Sequence, residues 1–203
     1  VSRGLGDVYK RKDNILIAGS YHGFNIYELD EDGIPNLISS VVCPGGQGDV
    51  SIVGDLLIMS VEENRSRLDC GLEGINSDSS PERFRGIRIF DVSNLSKPKQ
   101  VGAVQTCRGS HTHSVVSTTK DNKIIVYNSG TGRVRDNEEK AECFGWDGGG
   151  SSYFSIDVIE IPIDNPSDSR IVKSPRVFMD LETGNVAGLW RGGDHGDDTQ
   201  DTN

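Results

Sequence analysis

Short apolar segments recur along this chain in a fixed order, and that order limits the fold more than any other feature. The clearest unit has segments at 48–54, 55–62, 86–93 and 98–105, joined by turns and one long loop. Such spacing is typical of short β-strands. A four-stranded antiparallel unit cannot bury both faces alone, so units of this kind stack on one another. The sequence therefore predicts an all-β repeat fold.

Two further units follow the same plan of strand, turn, strand, variable loop, strand, turn and strand. Their segments lie at 14–20, 23–29 and 35–42, and at 111–119, 122–130, 153–161 and 169–179. We expect a single domain over 1–203, a partial β-propeller of four-stranded antiparallel blades. The expected blades are about 8–43, 48–106 and 111–180, and 184–203 is a connector to a further blade of a longer protein.

The strands within a unit differ in pattern. The second strand of each unit, Leu56 to Met59 in the middle one and Ile124 to Tyr127 in the last, is apolar on both faces, as expected between neighbouring blades. The third strand alternates, with Ile87 and Ile89 on one side and Arg88 on the other, which predicts a strand nearer the periphery of its blade.

The net charge of −10 limits the partners of the chain. A field of this sign repels phosphate backbones and anionic lipid, so we expect no nucleic-acid binding and regard cations as the more natural ligands. No apolar run approaches the roughly 20 residues of a membrane helix, so we expect no membrane insertion of this segment.

The segment GIRIFDVSNLSKPKQVGAV at 86–104 closely resembles the LVIVD repeat, in which a strand ending in Asp91 and Val92 precedes a proline turn and a Val-Gly strand. The segment at 23–41 lacks the aspartate, and the one at 153–172 has Glu160 instead. The resemblance implies a bacterial β-propeller, exported to the extracellular space, periplasm or cell surface, often with no assigned reaction.

Strand direction in an antiparallel unit places particular loops together. The loop between second and third strands lies at the same end as the connection to the next unit. We call this end the loop-rich rim. It comprises the first and second inserts (63–85 and 131–152) and the first, second and third connectors (43–49, 107–113 and 191–198). Long loops on a rigid scaffold often carry binding groups. We expect the ligand site there.

His111 and His113 form an H-x-H pair whose side chains share one face of a strand, a spacing that suits Zn, Cu or Fe. Further ligands of a divalent metal ion could come from Asp49, Asp194 or His195. The alternative is that the two histidines bond to water and neighbouring backbone.

The four cysteines occupy equivalent places in the repeats. Cys43 and Cys107 lie in connectors, and Cys70 and Cys143 lie in inserts. In an exported protein we expect disulfides, and the sequence leaves all three pairings open. A reactive thiol is the less favoured alternative, because no partner histidine is implied by the spacing.

Several arginines surround these cysteines and could bind an anionic group; they are Arg65, Arg67, Arg83, Arg85 and Arg108. The alternative is pairing on a solvated surface with the nearby carboxylates of Asp69, Glu73 and Glu82.

The leading functional hypothesis is a binding or scaffold module that holds a protein, glycan or small-molecule ligand on the loop-rich rim. No catalytic motif stands out. The alternative is a metal-dependent enzyme with a His-x-His site at the mouth of the central channel, and a purely structural repeat is a third reading. The candidate ligand-binding residues are Asp49, Arg108, His111, His113, Asp194 and His195.

Overall fold

The computed structural model describes residues 9–12, 14–145, 151–177 and 179–183. Within these residues, twelve strands form three four-stranded sheets, and the helical part is one 3₁₀ turn at Pro166–Asp168. All pairings between strands are antiparallel. The all-β class and the four-stranded antiparallel units are therefore confirmed.

The first sheet has the strand order β1-β2-β3-β4. Its strands are β1 (Tyr9–Lys12), β2 (Ile15–Ser20), β3 (Gly23–Leu29) and β4 (Pro35–Val42). The last three strands coincide with segments expected from the apolar pattern, whereas β1 was not expected.

The second sheet has the order β5-β6-β7-β8. Its strands are β5 (Val50–Val53), β6 (Leu56–Val61), β7 (Gly86–Asp91) and β8 (Lys99–Gln105). The first insert joins β6 to β7, so it leaves the sheet at the end predicted from strand direction.

The third sheet consists of β9 (Thr112–Thr118), β10 (Lys123–Ser129), β11 (Asp157–Pro162) and β12 (Arg170–Lys173), each bonded to the next. The second insert joins β10 to β11. Each sheet thus repeats the same connection plan with a loop of different length between its two central strands.

The sheets stack face to face, with the second sheet in the middle. Leu57 and Met59 of β6 belong to a core shared with the first sheet, and Leu56 and Ile58 belong to a core shared with the third. The rings of Phe24 and Phe90 meet edge to face across the first junction, with centroids 5.1 Å apart. Because β6 is buried along its whole length, the prediction that it is apolar on both faces is confirmed.

The outer faces of the stack are more open. On β10, Ile124 and Val126 are buried against the second sheet, whereas Tyr127 on the other face is 44% exposed, so among the described residues this strand is not covered on both faces as expected. On β4 of the first sheet, Leu37 is 61% exposed.

The expectation for β7 was wrong in one respect. Arg88 does not lie on a peripheral face but is fully buried. Its guanidinium lies 4.0 Å from the Phe84 ring centroid and donates to the Leu68 carbonyl and to Gln100 Oε1. The first insert supplies Leu68 and Phe84, so it covers this side of the strand, and the alternation of β7 does not report exposure.

Candidate functional site

The first two connectors meet the end of β6, where the first insert begins. The Glu62 amide donates to the Gly45 carbonyl at 2.8 Å, and the Ser110 amide donates to the Val61 carbonyl at 3.0 Å. Gly109 has a φ of 77°, and a Cβ atom there would lie 2.8 Å from Glu62 Cα. Only glycine tolerates both conditions easily, so the second connector can cross the strand end closely.

All four cysteines form disulfides, in the same pattern in two successive repeats. Cys43 pairs with Cys70, and Cys107 pairs with Cys143, with Cα atoms 4.5 and 5.3 Å apart. Each bond runs from a connector to the insert of the following sheet. The structure thus selects one of the three pairings that the sequence left open.

His111 and His113 lie beside Glu62, which follows β6, and Ser60, near the end of that strand. His111 Nδ1 lies 2.8 Å from Glu62 Oε2, and its Nε2 lies 3.3 Å from Gln47 Nε2. His113 is buried, and its Nδ1 lies 2.8 Å from Ser60 Oγ. Ser60 and Glu62 are also two residues apart. The two histidines and their two partners therefore each alternate with the period of an extended strand.

The further residues of the predicted metal site do not join this pair in the described structure. Asp49 is buried at the end of the first connector, and its carbonyl accepts the Ser60 amide at 2.9 Å. Asp194 and His195 lie outside the described residues. Among the residues that are described, no group of three or more His, Cys, Asp and Glu side chains could hold a metal ion.

The arginines fall into two groups. Arg67 follows the solvated-pair reading, because its guanidinium contacts the carboxylates of Asp69, Glu73 and Glu82 within 3.2 Å. The same reading is wrong for Arg83 and Arg85, which are both buried. Burial and the neighbouring Arg135 lower the pKa of Arg85 to about 10.

Arg83 takes part in an ionic cluster that joins the two inserts. Its guanidinium pairs with Glu139 of the second insert, whose other carboxylate oxygen is 2.6 Å from Arg135 Nε. All three side chains are buried. Glu139 also accepts the Ser80 amide at 3.3 Å, so one carboxylate holds two separate loops together.

A polar cavity of about 450 Å³ opens at the loop-rich rim, between the end of β8 and the third sheet. The second connector, the second insert, the start of β11 and the chain after β12 all contribute to its lining. The lining side chains with polar groups include Arg108, Lys140, Ser151, Ser155, Asp157, Ser174 and Arg176. A second cavity of about 470 Å³ lies at the same rim, between the first connector and the first insert.

Asp157 is a half-buried carboxyl group of the polar cavity. Burial raises its pKa, while hydrogen bonds from Ser174 and Asn128 and the charge of Lys140 act in the opposite direction. The Ser174 hydroxyl donates to Asp157 Oδ1 at 2.7 Å. A carboxyl group with a raised pKa inside a cavity is a frequent mark of a functional site.

Arg108 is held at the cavity by the loops around it. Its Nε and Nη2 each donate at 2.9 Å to the carbonyls of Gly132 and Thr131, and its guanidinium lies 4.8 Å from the Tyr153 ring centroid. Lys140 Nζ is 2.9 Å from Glu142 Oε2. Of the predicted ligand-binding residues that the structure describes, Arg108 is the one that lines this cavity.

Sequence reasoning missed Asp157, Lys140 and Arg176. A signal for the first was present, because the third strands of the other two sheets begin at Gly23 and Gly86, where this sheet has an aspartate. A carboxylate at a position where the other two sheets have glycine indicates that this position serves a different function in the third sheet. Lys140 and Arg176 carry no comparable signal, since their position depends on how the second insert folds.

Comparison with known proteins adds no assignment: no protein-family model matches the chain, and neither does any curated protein. Within the described parts of the chain, no helix is both long and apolar enough to span a membrane. The two disulfides are typical of proteins in oxidising compartments.

Proposed function

We propose that this chain forms blades of an extracytoplasmic β-propeller and acts as a binding module, with its ligand on the loop-rich rim. The face-to-face stacking of three four-stranded sheets supports the propeller, because each blade of a propeller buries its faces against its neighbours. The resemblance of 86–104 to the LVIVD repeat favours the same architecture.

One observation carries the functional part of the proposal. The two inserts, both disulfides and two cavities of more than 400 Å³ lie at the same rim. The opposite rim has short turns, as at 54–55 and 119–122. Rigidly anchored loops with concave surfaces between them are the usual setting of a ligand site.

Disulfides and buried ion pairs fix these loops before any ligand arrives. Arg83 and Glu139 join the two inserts, and Cys107–Cys143 joins the second insert to the second connector. A preorganised surface loses little conformational entropy on binding, which favours recognition.

The experiment is a screen of soluble glycans and small organic acids against the purified chain, followed by hydrogen exchange with each ligand that binds. We expect a ligand to protect amides at 43–49, 63–85, 107–113 or 131–145. Protection confined to the opposite turns, at 30–34, 93–98 or 119–122, would contradict the proposal. A chain that retains no member of the panel would also contradict it.

A further inference from the structure

We infer that the polar cavity at the loop-rich rim binds an acidic sugar, meaning a ligand with one carboxylate and several hydroxyl groups. The cavity is the one of about 450 Å³ that Asp157 and Arg108 line. This inference rests on the proposed binding function and specifies the class of ligand.

The charge of the cavity differs from that of the chain. Arg108, Lys140 and Arg176 bring three positive charges to its lining, whereas the chain as a whole carries −10. The lining also holds the carboxyl groups of Asp157 and Glu142, and Glu142 pairs with Lys140, so the lining keeps a small excess of positive charge. A carboxylate is therefore the ligand group that this lining favours, because ammonium and guanidinium groups form charge-assisted hydrogen bonds with it.

The remaining polar groups suit hydroxyls. Four serine hydroxyls line the cavity. Ser155 and Ser174 donate within the chain and keep acceptor oxygens, whereas Ser151 and Ser152 accept backbone amides and keep a hydroxyl donor. Asp157 adds carboxyl oxygens that can accept hydrogen bonds from ligand hydroxyls. Val104 and Ile171 contribute to an apolar part of the lining, against which the carbon face of a sugar ring can pack.

The cavity has the size and the support of a small-molecule site. Its volume falls within the range of about 300–1,000 Å³ typical of such sites. The Cys107–Cys143 disulfide joins the two loops that form one side, and the Tyr153 ring packs against the Arg108 guanidinium.

The test is calorimetric titration of the full chain with glucuronate and galacturonate, with glucose as the neutral analogue and inorganic phosphate as the simple anion. We expect at least one of the two uronates to bind the chain. The dissociation constant of glucose should be at least about tenfold higher than that of this uronate, the effect of losing one hydrogen bond to a charged group. Equal binding of glucose and the uronates, or tighter binding of phosphate, would overturn the inference.

A matched pair of variants locates the site. Lys140→Gln should weaken binding of the uronate by at least about tenfold, whereas Lys120→Gln, in the exposed turn between β9 and β10, should leave it unchanged. Ser174→Ala gives a second reading and should also weaken binding. If Lys140→Gln and Ser174→Ala both bind like the parent chain, the inference is wrong.

Failure here is distinguishable from failure of the proposed function. If another member of the ligand panel protects the loop-rich rim while neither uronate binds, the class of ligand is wrong and the binding module stands. If a uronate binds but protects the opposite turns, both ideas fail.

Discussion

Asp157 is the first residue of β11, and its surroundings decide how easily it ionises. Burial disfavours the charged form, while Ser174, Asn128 and Lys140 favour it, and the balance raises the pKa. The group is therefore less stable as an anion in the folded chain than in the unfolded one.

This balance makes stability depend on pH in a defined direction. Because the folded state binds the proton more tightly, its contribution is largest at acidic pH and is lost as the pH rises through the raised pKa. We expect Asp157→Asn to be more stable than the parent chain at pH 7. The advantage should shrink toward pH 4, as measured by urea unfolding at both values.

The exposed Asp121→Asn variant is the matched control and should show no such pH-dependent gain. An Asp157→Asn chain that is less stable at pH 7 would mean that the hydrogen bonds to the carboxylate outweigh its burial.

The arginines show how far local sequence predicts a residue's environment. Arg67 lies close in sequence to Asp69 and Glu73, and it pairs with both. Arg83 follows Glu82 directly, yet its carboxylate partner is Glu139, 56 residues away. Local charge patterns identify the first kind of pair and miss the second, because the second depends on how two loops pack.

At the level of elements, the strands were the most predictable part of the molecule. Alternating apolar residues and flanking turns gave the bounds of β3 and β4 as the structure has them. The strand β1, with the sequence YKRK, was missed because it has no apolar alternation. The segment proposed at 153–161 forms a strand only from Asp157, since Tyr153 and Phe154 lie in a turn.

At position 102 of β8 the chain has a glycine where a residue with high β propensity would be expected, and a close approach of another turn explains it. A Cβ atom there would lie 2.3 Å from the Pro166 carbonyl oxygen, in the turn between β11 and β12. Gly102→Ala should therefore destabilise the chain by about 1–3 kcal/mol, the range for overpacking a well-packed site. The measurement is the urea midpoint at an unchanged slope.

Gly145→Ala is the control, because a Cβ atom at that position meets nothing within 4 Å. If the two variants unfold at the same urea concentration, the close approach at Gly102 has no energetic effect.

The two disulfides should contribute similar free energies, because they close loops of 27 and 36 residues. We expect replacement of either cysteine pair by serine to lower the free energy of unfolding by about 3–4 kcal/mol on the chain-entropy estimate. Circular dichroism should still show β structure, since Cys43 is the one buried core residue that these replacements change between the first two sheets. A chain equally stable in oxidised and reduced form would contradict this expectation.

On the scale of the whole molecule, the two inserts form one unit although they belong to different sheets. Glu139 lies in the second insert and bonds to Arg83 and Ser80 of the first. Strand direction predicted that both inserts share a rim, because it follows from topology. The ion pair and the cavity with Asp157 could not be predicted, because they depend on the conformations of long loops.

Loss of the buried carboxylate should therefore loosen both loops. Glu139→Gln leaves the guanidiniums of Arg83 and Arg135 buried without a counterion, a change that costs about 3–5 kcal/mol. Hydrogen exchange should accelerate in both inserts, at 64–84 and at 131–145.

Glu142→Gln is the matched control three residues away. Its carboxylate pairs with Lys140 on the surface, so its loss should cost less than about 1 kcal/mol. Acceleration restricted to the second insert in Glu139→Gln would show that the inserts are not coupled.

The pattern of disulfides also has a mechanical consequence. Each bond closes a loop that contains the first two strands of a sheet, β5 and β6 in one case and β9 and β10 in the other. Tension applied to the two ends of the chain would pass through sulfur and leave those hairpins unstretched. Together the two loops withhold roughly 200 Å of contour length from extension, released only under a reducing agent.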